Sequence, residues 1–94
     1  MDLVLEIGSK FPEISGPVSD TFANYLNTVC EKEDFNELVL DLGGTRMISS
    51  MAMGSIFAVY QRLHEKGKTL RVVNASDKVT HLLRMVNLAD ILLK

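Results

Sequence analysis

Cysteine occurs once in these 94 residues, at position 30, so no intrachain disulfide can form. A lone thiol fits a reducing compartment. Basic residues are not in excess: ten Lys and Arg face twelve acids, for a net charge of −2, and the bases are scattered. A nucleic-acid binder needs a basic patch or stripe, so that class is set aside. No stretch approaches about 18 apolar residues free of polar breaks, so no insertion into a membrane is expected. The first ten residues, MDLVLEIGSK, carry acids where a secretion signal carries bases, and their apolar run is short. The expected location is cytoplasmic. Enzyme motifs are missing too: there is no G-x-S-x-G elbow, no Walker loop and no G-x-G-x-x-G. His64 and His81 have no Cys or carboxylate at ligand spacing, so no metal and no cofactor is expected. The chain reads as non-enzymatic. It also lacks linkers, repeats and low-complexity segments, and its length suits one small domain spanning 1–94.

What is present alternates between strand and helix patterns. Leu3 to Ile7 is a strand candidate, Gly8-Ser9-Lys10 a turn signal, and Phe11 to Ile14 a second strand with Pro12 favouring an edge or bulge. Together they predict a hairpin. Gly16-Pro17 breaks the pattern, and Ser19 or Asp20 can cap a helix to about Glu33, with Phe22, Leu26, Val29 and Cys30 on one face. Cys30 on that stripe reads as packing. Glu37 to Leu42 is a central strand candidate ended by Gly43-Gly44, which reads as a tight exit turn. A helix follows from about Ser50 to Lys66, with Gly67 where a left-handed C-terminal cap belongs. Thr69 to Asn74 is another strand. Ser76 caps a third helix striped by Val79, Leu82, Leu83 and Val86; Asn87 interrupts it, and Leu88 to Leu92 forms a short terminal helix. The order β-β-α-β-α-β-α, with a parallel crossover from Glu37 to Asn74, implies an α/β fold: a mixed sheet with helices mainly on one face.

The segment Leu38 to Tyr60 carries the most information. Charge is absent from Met47 to Gln61. On a helical wheel at about 100° per residue, Met53, Ile56, Phe57, Tyr60 and Leu63 point to the core, and Met51, Gly54, Ser55, Ala58 and Arg62 point away. The outward face of a small-domain helix normally carries charge, and the first two turns here carry none. Such a flat face suits docking against another protein. It equally suits close packing by a neighbouring helix of the same domain. The serines at its head are also open to two readings. Ser49 or Ser50 can be a plain N-cap, worth about 1 kcal/mol. Either can instead accept a phosphate, which favours a helix N-terminus and adds about −1.5 to −2 charge to a neutral face.

These residues resemble the STAS domain, in particular the small bacterial anti-sigma factor antagonists. That family shows an apolar strand ending in Asp/Asn-Leu, a six-residue loop, then Asp-Ser-Ser/Thr-Gly-Leu-Gly opening a helix. Here Asp41-Leu42 ends the strand, and Ser49-Ser50-Met51-Ala52-Met53-Gly54 stands at that spacing. Ile14-Ser15-Gly16-Pro17-Val18-Ser19 is similar to the family's Leu-Thr-Gly-Glu-Leu-Asp. Ser50 and Gly54 match the helix-opening motif literally and Met53 conservatively. Ser49 stands for the motif's Asp, and Ser19 for the acid before the first helix.

The resemblance implies a STAS-like mixed sheet of four to five strands and a non-enzymatic, partner-switching role in transcription or signalling. The phosphorylated serine falls on Ser50, with Ser49 the second choice. The implied partner is an anti-sigma factor that is a GHKL-type serine kinase, and a PP2C-type phosphatase resets the complex. Ser49, Ser50, Met51, Gly54, Ser55 and Ala58 would dock the partner, helped by Ser19, Asp20, Thr45 and Arg46. A monomer or weak homodimer is expected. The alternative is a constitutive STAS subunit of a transporter or sensory complex, without phosphorylation.

Overall fold

The computed structural model describes residues 1–93. Its elements run β1 (Asp2–Glu6), α1 (Ile7–Lys10), β2 (Glu13–Ile14), α2 (Val18–Lys32), β3 (Glu37–Asp41), β4 (Met47–Ile48), α3 (Ser50–Glu65), β5 (Thr69–Val73), α4 (Asp77–Met85) and α5 (Ala89–Leu92). The α/β class and the crossover β3–α3–β5 are as the patterning predicts. The sheet is smaller than expected, and its pairings are parallel throughout. One sheet has three strands in the order β1-β3-β5, and β2 and β4 form a separate two-stranded ladder.

The expected hairpin between the first two strands does not form. Ile7 is fully buried, and Gly8 is buried against the backbone of Gly43, so 7–10 coils into a single helical turn instead of reversing the chain. That turn carries Phe11 into the core, where its ring meets Phe22 edge-on at 5.4 Å. The chain then emerges alongside β4, parallel to it, with Glu13 opposite Met47 and Ile14 opposite Ile48.

Strand alternation sorts the three-stranded sheet into two faces. Leu3, Leu5, Leu38, Leu40, Leu70 and Val72 point into the core and lie beside one another in register. The opposite face carries Val4, Val39 and Val73 among Asp2, Glu6, Glu37, Asp41 and Arg71, and is uncovered enough to leave Val4 55% exposed. Helices α3 and α5 pack on β5, and α2 packs on α3, so the layers lie on the leucine face.

Caps follow the sequence at two of three helices. The Ser49 hydroxyl accepts from the Ala52 N–H at 3.1 Å, and the Ser76 hydroxyl from the Val79 N–H at 3.1 Å. Gly67 takes φ +74° after α3, and Lys68 N–H closes on the Leu63 carbonyl at 2.8 Å, the left-handed ending that glycine favours. The exception is α2. It starts after Pro17, which brings no side-chain cap; Ser19 and Asp20 both lie inside the first turn. The third helix also ends earlier than its stripe suggests, leaving Val86 exposed at a break where Asn87 sits at φ +62°.

Candidate functional site

The head of α3 is assembled from three directions. Strand β4 delivers Ser49, whose N–H donates to the Ile14 carbonyl of β2 at 2.7 Å. Helix α2 brings Ser19, buried to 1% exposure, whose hydroxyl lies 2.7 Å from that of Ser49. The Ser49 hydroxyl accepts from Ala52, so its proton is free to go to Ser19. One hydroxyl therefore caps α3 and ties its start to the first turn of α2. The two readings of the serine pair separate on this geometry. Ser49 is the N-cap and is half-buried, whereas Ser50 is the first helical residue and is exposed.

The wheel places the rest of α3 correctly. Met53, Ile56 and Leu63 are buried, as are Ala52 and Val59; Phe57 and Tyr60 are half-buried. Met51 is 61% exposed, and Gly54, Ala58 and Arg62 are exposed. The domain's own helix covers only part of the outward face. Arg62 Nη1 donates to Asn27 Oδ1 of α2 at 2.7 Å, and Ser55 is half-buried with its hydroxyl turned back to the Met51 carbonyl at 3.1 Å. Met51, Gly54 and Ala58 stay open. Asp20 is exposed, and Arg46 is exposed beside Glu13 at 3.8 Å.

Two residues of the expected docking set are corrected by the packing. Thr45 is 1% exposed and its hydroxyl donates to the Phe11 carbonyl at 2.9 Å, which pins the loop after β3 to the segment after α1. Ser19 is consumed by Ser49. Both shape the site from beneath and present no side chain to a partner.

Sequence reasoning missed the other wall. A groove of about 410 Å³ opens beside Ser50, lined on α3 by Met53, Gly54 and Phe57 and across from it by Val86, Asn87, Leu88 and Ile91. Gly54 keeps it open. A Cβ built there meets no atom within 4 Å beyond its own helix neighbourhood. Val86 of this wall is itself exposed, as is Met51, the residue after Ser50 on α3. No charged or titratable side chain lines the groove. The interruption at Asn87 was the one signal in the sequence that this wall turns toward α3.

The groups with displaced pKa lie elsewhere. Burial pushes the Cys30 thiol of α2 up, against the opposing pull of Arg62, Lys66 and Lys68. A hydrogen bond from Arg71 at 2.9 Å holds the Glu37 carboxyl below its usual range. Among the described residues, no three His, Cys, Asp or Glu side chains gather closely enough to hold a metal ion, and no helix is long and apolar enough to cross a membrane. The groove can therefore bury apolar surface and carry a modified hydroxyl at its edge. It offers no acid–base pair.

In comparison with known families, the model of the STAS domain matches residues 4–94. No curated protein matches the chain.

Proposed function

The chain belongs to the STAS domain family, a regulatory protein-interaction module, and from that premise we propose that it binds an anti-sigma factor of the GHKL serine-kinase type through the groove beside Ser50 and is released when Ser50 is phosphorylated. The observation that carries this reading is the division of labour between the serines. Ser49 caps α3 and is held by Ser19 and Ala52. Ser50 is exposed at the edge of an uncharged apolar groove. A kinase reaches Ser50 without disturbing the helix, whereas modifying Ser49 breaks the cap and the buried hydroxyl pair. Ser50 is thus preferred over Ser49.

The switch works by desolvation. Phosphoryl transfer from ATP forms the Ser50 Oγ–P bond, breaks the bond to the bridging oxygen of ADP, and passes the hydroxyl proton to the kinase's base. The product adds about −1.5 to −2 charge where the unmodified face has none. A partner covering the groove would bury that charge unpaired, at about 3 kcal/mol or more, which is over a hundredfold in Kd. Water under a PP2C-type phosphatase would return the hydroxyl. Met51, Gly54 and Ala58 supply contact area, with Asp20 and Arg46 at the rim, and the chain performs no catalysis of its own.

The test compares Ser50→Asp with Ser50→Ala in titrations against the GHKL-type kinase from the same genome. The aspartate variant should bind at least tenfold more weakly. Equal affinities refute the charge switch.

A second reading is favoured by the wholly uncharged groove lining, because permanent interfaces are the more apolar ones. There the chain is a constitutive STAS subunit of a transporter or sensory complex. A stoichiometric complex that purifies from cells with no phosphoserine on the chain would decide for it.

A further inference from the structure

Parallel sheets are normally covered on both faces, because the helices that connect their strands pack on each side. Strands β1, β3 and β5 pair in parallel, yet their helices lie on the leucine face. On the other face every side chain but Val39 is at least partly open to solvent, and Val4 is 55% exposed. Val39 is 3% exposed without belonging to the core cluster, so the side chains of its own face shelter it. Register sets the pattern on this face. Asp2 stands beside Glu37 at one end, Glu6 beside Asp41 at the other, and Val4 beside Val39 between them. Arg71 flanks Val39 on β5, and its guanidinium is taken by Glu37 at 2.9 Å. Among the described residues, Asp2, Glu6 and Asp41 have no cation within ion-pair distance. Four carboxylates against one guanidinium give the face a charge of −3, larger than the −2 of the whole chain. Negative charge is therefore concentrated here, and the rest of the surface is close to neutral.

We propose that this bare sheet face docks a basic partner: an amphipathic helix, laid along the strands, that sets small apolar side chains on Val4 and Lys or Arg on the carboxylates at either end. Strand geometry dictates the spacing. The two acidic pairs lie four residues apart in register, about 13 Å at about 3.3 Å per residue. On a helix rising about 1.5 Å per residue, that span is two to three turns. Charge selects the class of partner. A second copy seated face to face, or paired antiparallel along the open edge of β1, would bring carboxylates onto carboxylates, and nucleic acid has the same sign. Within the free chain Glu6 and Asp41 are like-charged neighbours, and a base set across them relieves that repulsion. Helices α3 and α5 pack on the opposite side of the sheet, so the groove beside Ser50 stays free and this docking does not depend on the phosphorylation reading. The apolar centre is small and the charges are exposed, so the complex forms fast, is transient and weakens with salt.

The experiment titrates the full chain, labelled for amide NMR, with a capped helical peptide that carries alanine and valine on one stripe and lysines flanking it two to three turns apart. Amide shifts should saturate and gather on β1, β3 and β5, and Kd should rise at least about threefold between about 20 and about 200 mM salt. A peptide of the same composition in scrambled order should bind at least about fivefold more weakly, because it presents no stripe. The double variant Asp2→Asn with Glu6→Gln should lose about fivefold in affinity, and Val4→Lys about tenfold. Asp2 and Glu6 are exposed and each stands beside a like charge, so the double variant should melt no lower than the parent. Absence of saturable binding, shifts centred on α3 and α5, or equal affinity for the scrambled peptide overturns the proposal. So does a chain that self-associates with the same amides shifting as its own concentration rises. A double variant that melts lower would assign these carboxylates to the fold and overturn it as well.

Discussion

Replacing Gly54 with alanine should stabilise this protein and weaken its partner complex, and the opposite signs make the experiment informative. Gly54 lies in the second turn of α3, with no positive φ to require glycine. A helix-interior glycine costs about 1 kcal/mol relative to alanine through backbone entropy. Overpacking adds nothing against this, because the new Cβ meets no atom within 4 Å beyond its own helix neighbourhood. Glycine has no side chain whose packing could be lost. In a domain of 94 residues, about 1 kcal/mol raises Tm by roughly 4–8 °C. Calorimetry and urea titration measure it. The same methyl projects into the groove that Gly54 lines, so a longer side chain fills the space a partner would use. Gly54→Leu should lower partner affinity by more than tenfold, equivalent to about 1.4 kcal/mol. A lower Tm for Gly54→Ala refutes the claim that the groove stands open over this residue. Full binding by Gly54→Leu refutes the claim that the groove is where a partner sits.

Further outcomes follow from the same contacts. Ser49→Ala should cost roughly 2–3 kcal/mol in urea unfolding, about 1 for the lost cap and the remainder for Ser19 left buried without its partner, whereas Ser50→Ala should stay within about 0.5 kcal/mol. Equal effects would undo the separation of their roles. A Cβ on Gly8 would collide with the Gly43 carbonyl; because backbone must move, Gly8→Ala should destabilise by about 2 kcal/mol or more, and a neutral result would show that α1 does not seat on that loop. The folded Glu37 carboxyl is held below its unfolded value by Arg71 first and then Thr69. Its contribution is present above the unfolded value and lost as pH falls through the folded one. Solvent screening keeps it small. The drop in urea midpoint from about pH 7 to about pH 3 should be smaller in Glu37→Gln, and an identical drop would mean the pair contributes nothing. Burial raises the Cys30 pKa, so its alkylation near pH 8 should be slower than that of the same thiol in the urea-unfolded chain; equal rates would contradict that burial.

Much of the site was legible because its signals are local. A serine before an uncharged run caps a helix by the geometry of the first free N–H groups, and Ser49 does so. A period of 3.6 separates faces whatever lies beyond them, and Met51, Gly54 and Ala58 are exposed as the wheel requires. Burial of Thr45 and Ser19 was not legible, since nothing near them in the chain announces Phe11 or Ser49 as a partner. Hydroxyls are equally at home in solvent or in a buried pair, and composition does not choose between them.

The sequence by itself determined the α/β alternation, the caps at Ser76 and Gly67, a serine cap for α3 at Ser49 or Ser50, the break at Asn87 and the missing charge on α3; the structure chose Ser49. Each depends on φ/ψ preference or on side chains within one or two turns. Only the tertiary structure decided that Ile7–Lys10 coils instead of turning back, that the strands pair in parallel as three and two, and that α5 faces α3 across an open groove. Those outcomes depend on contacts between residues some thirty or more positions apart, such as Gly8 on Gly43 and Val86 opposite Ser50. Chain-distant contacts of this kind become favourable only when the leucine face of the sheet is buried as a whole.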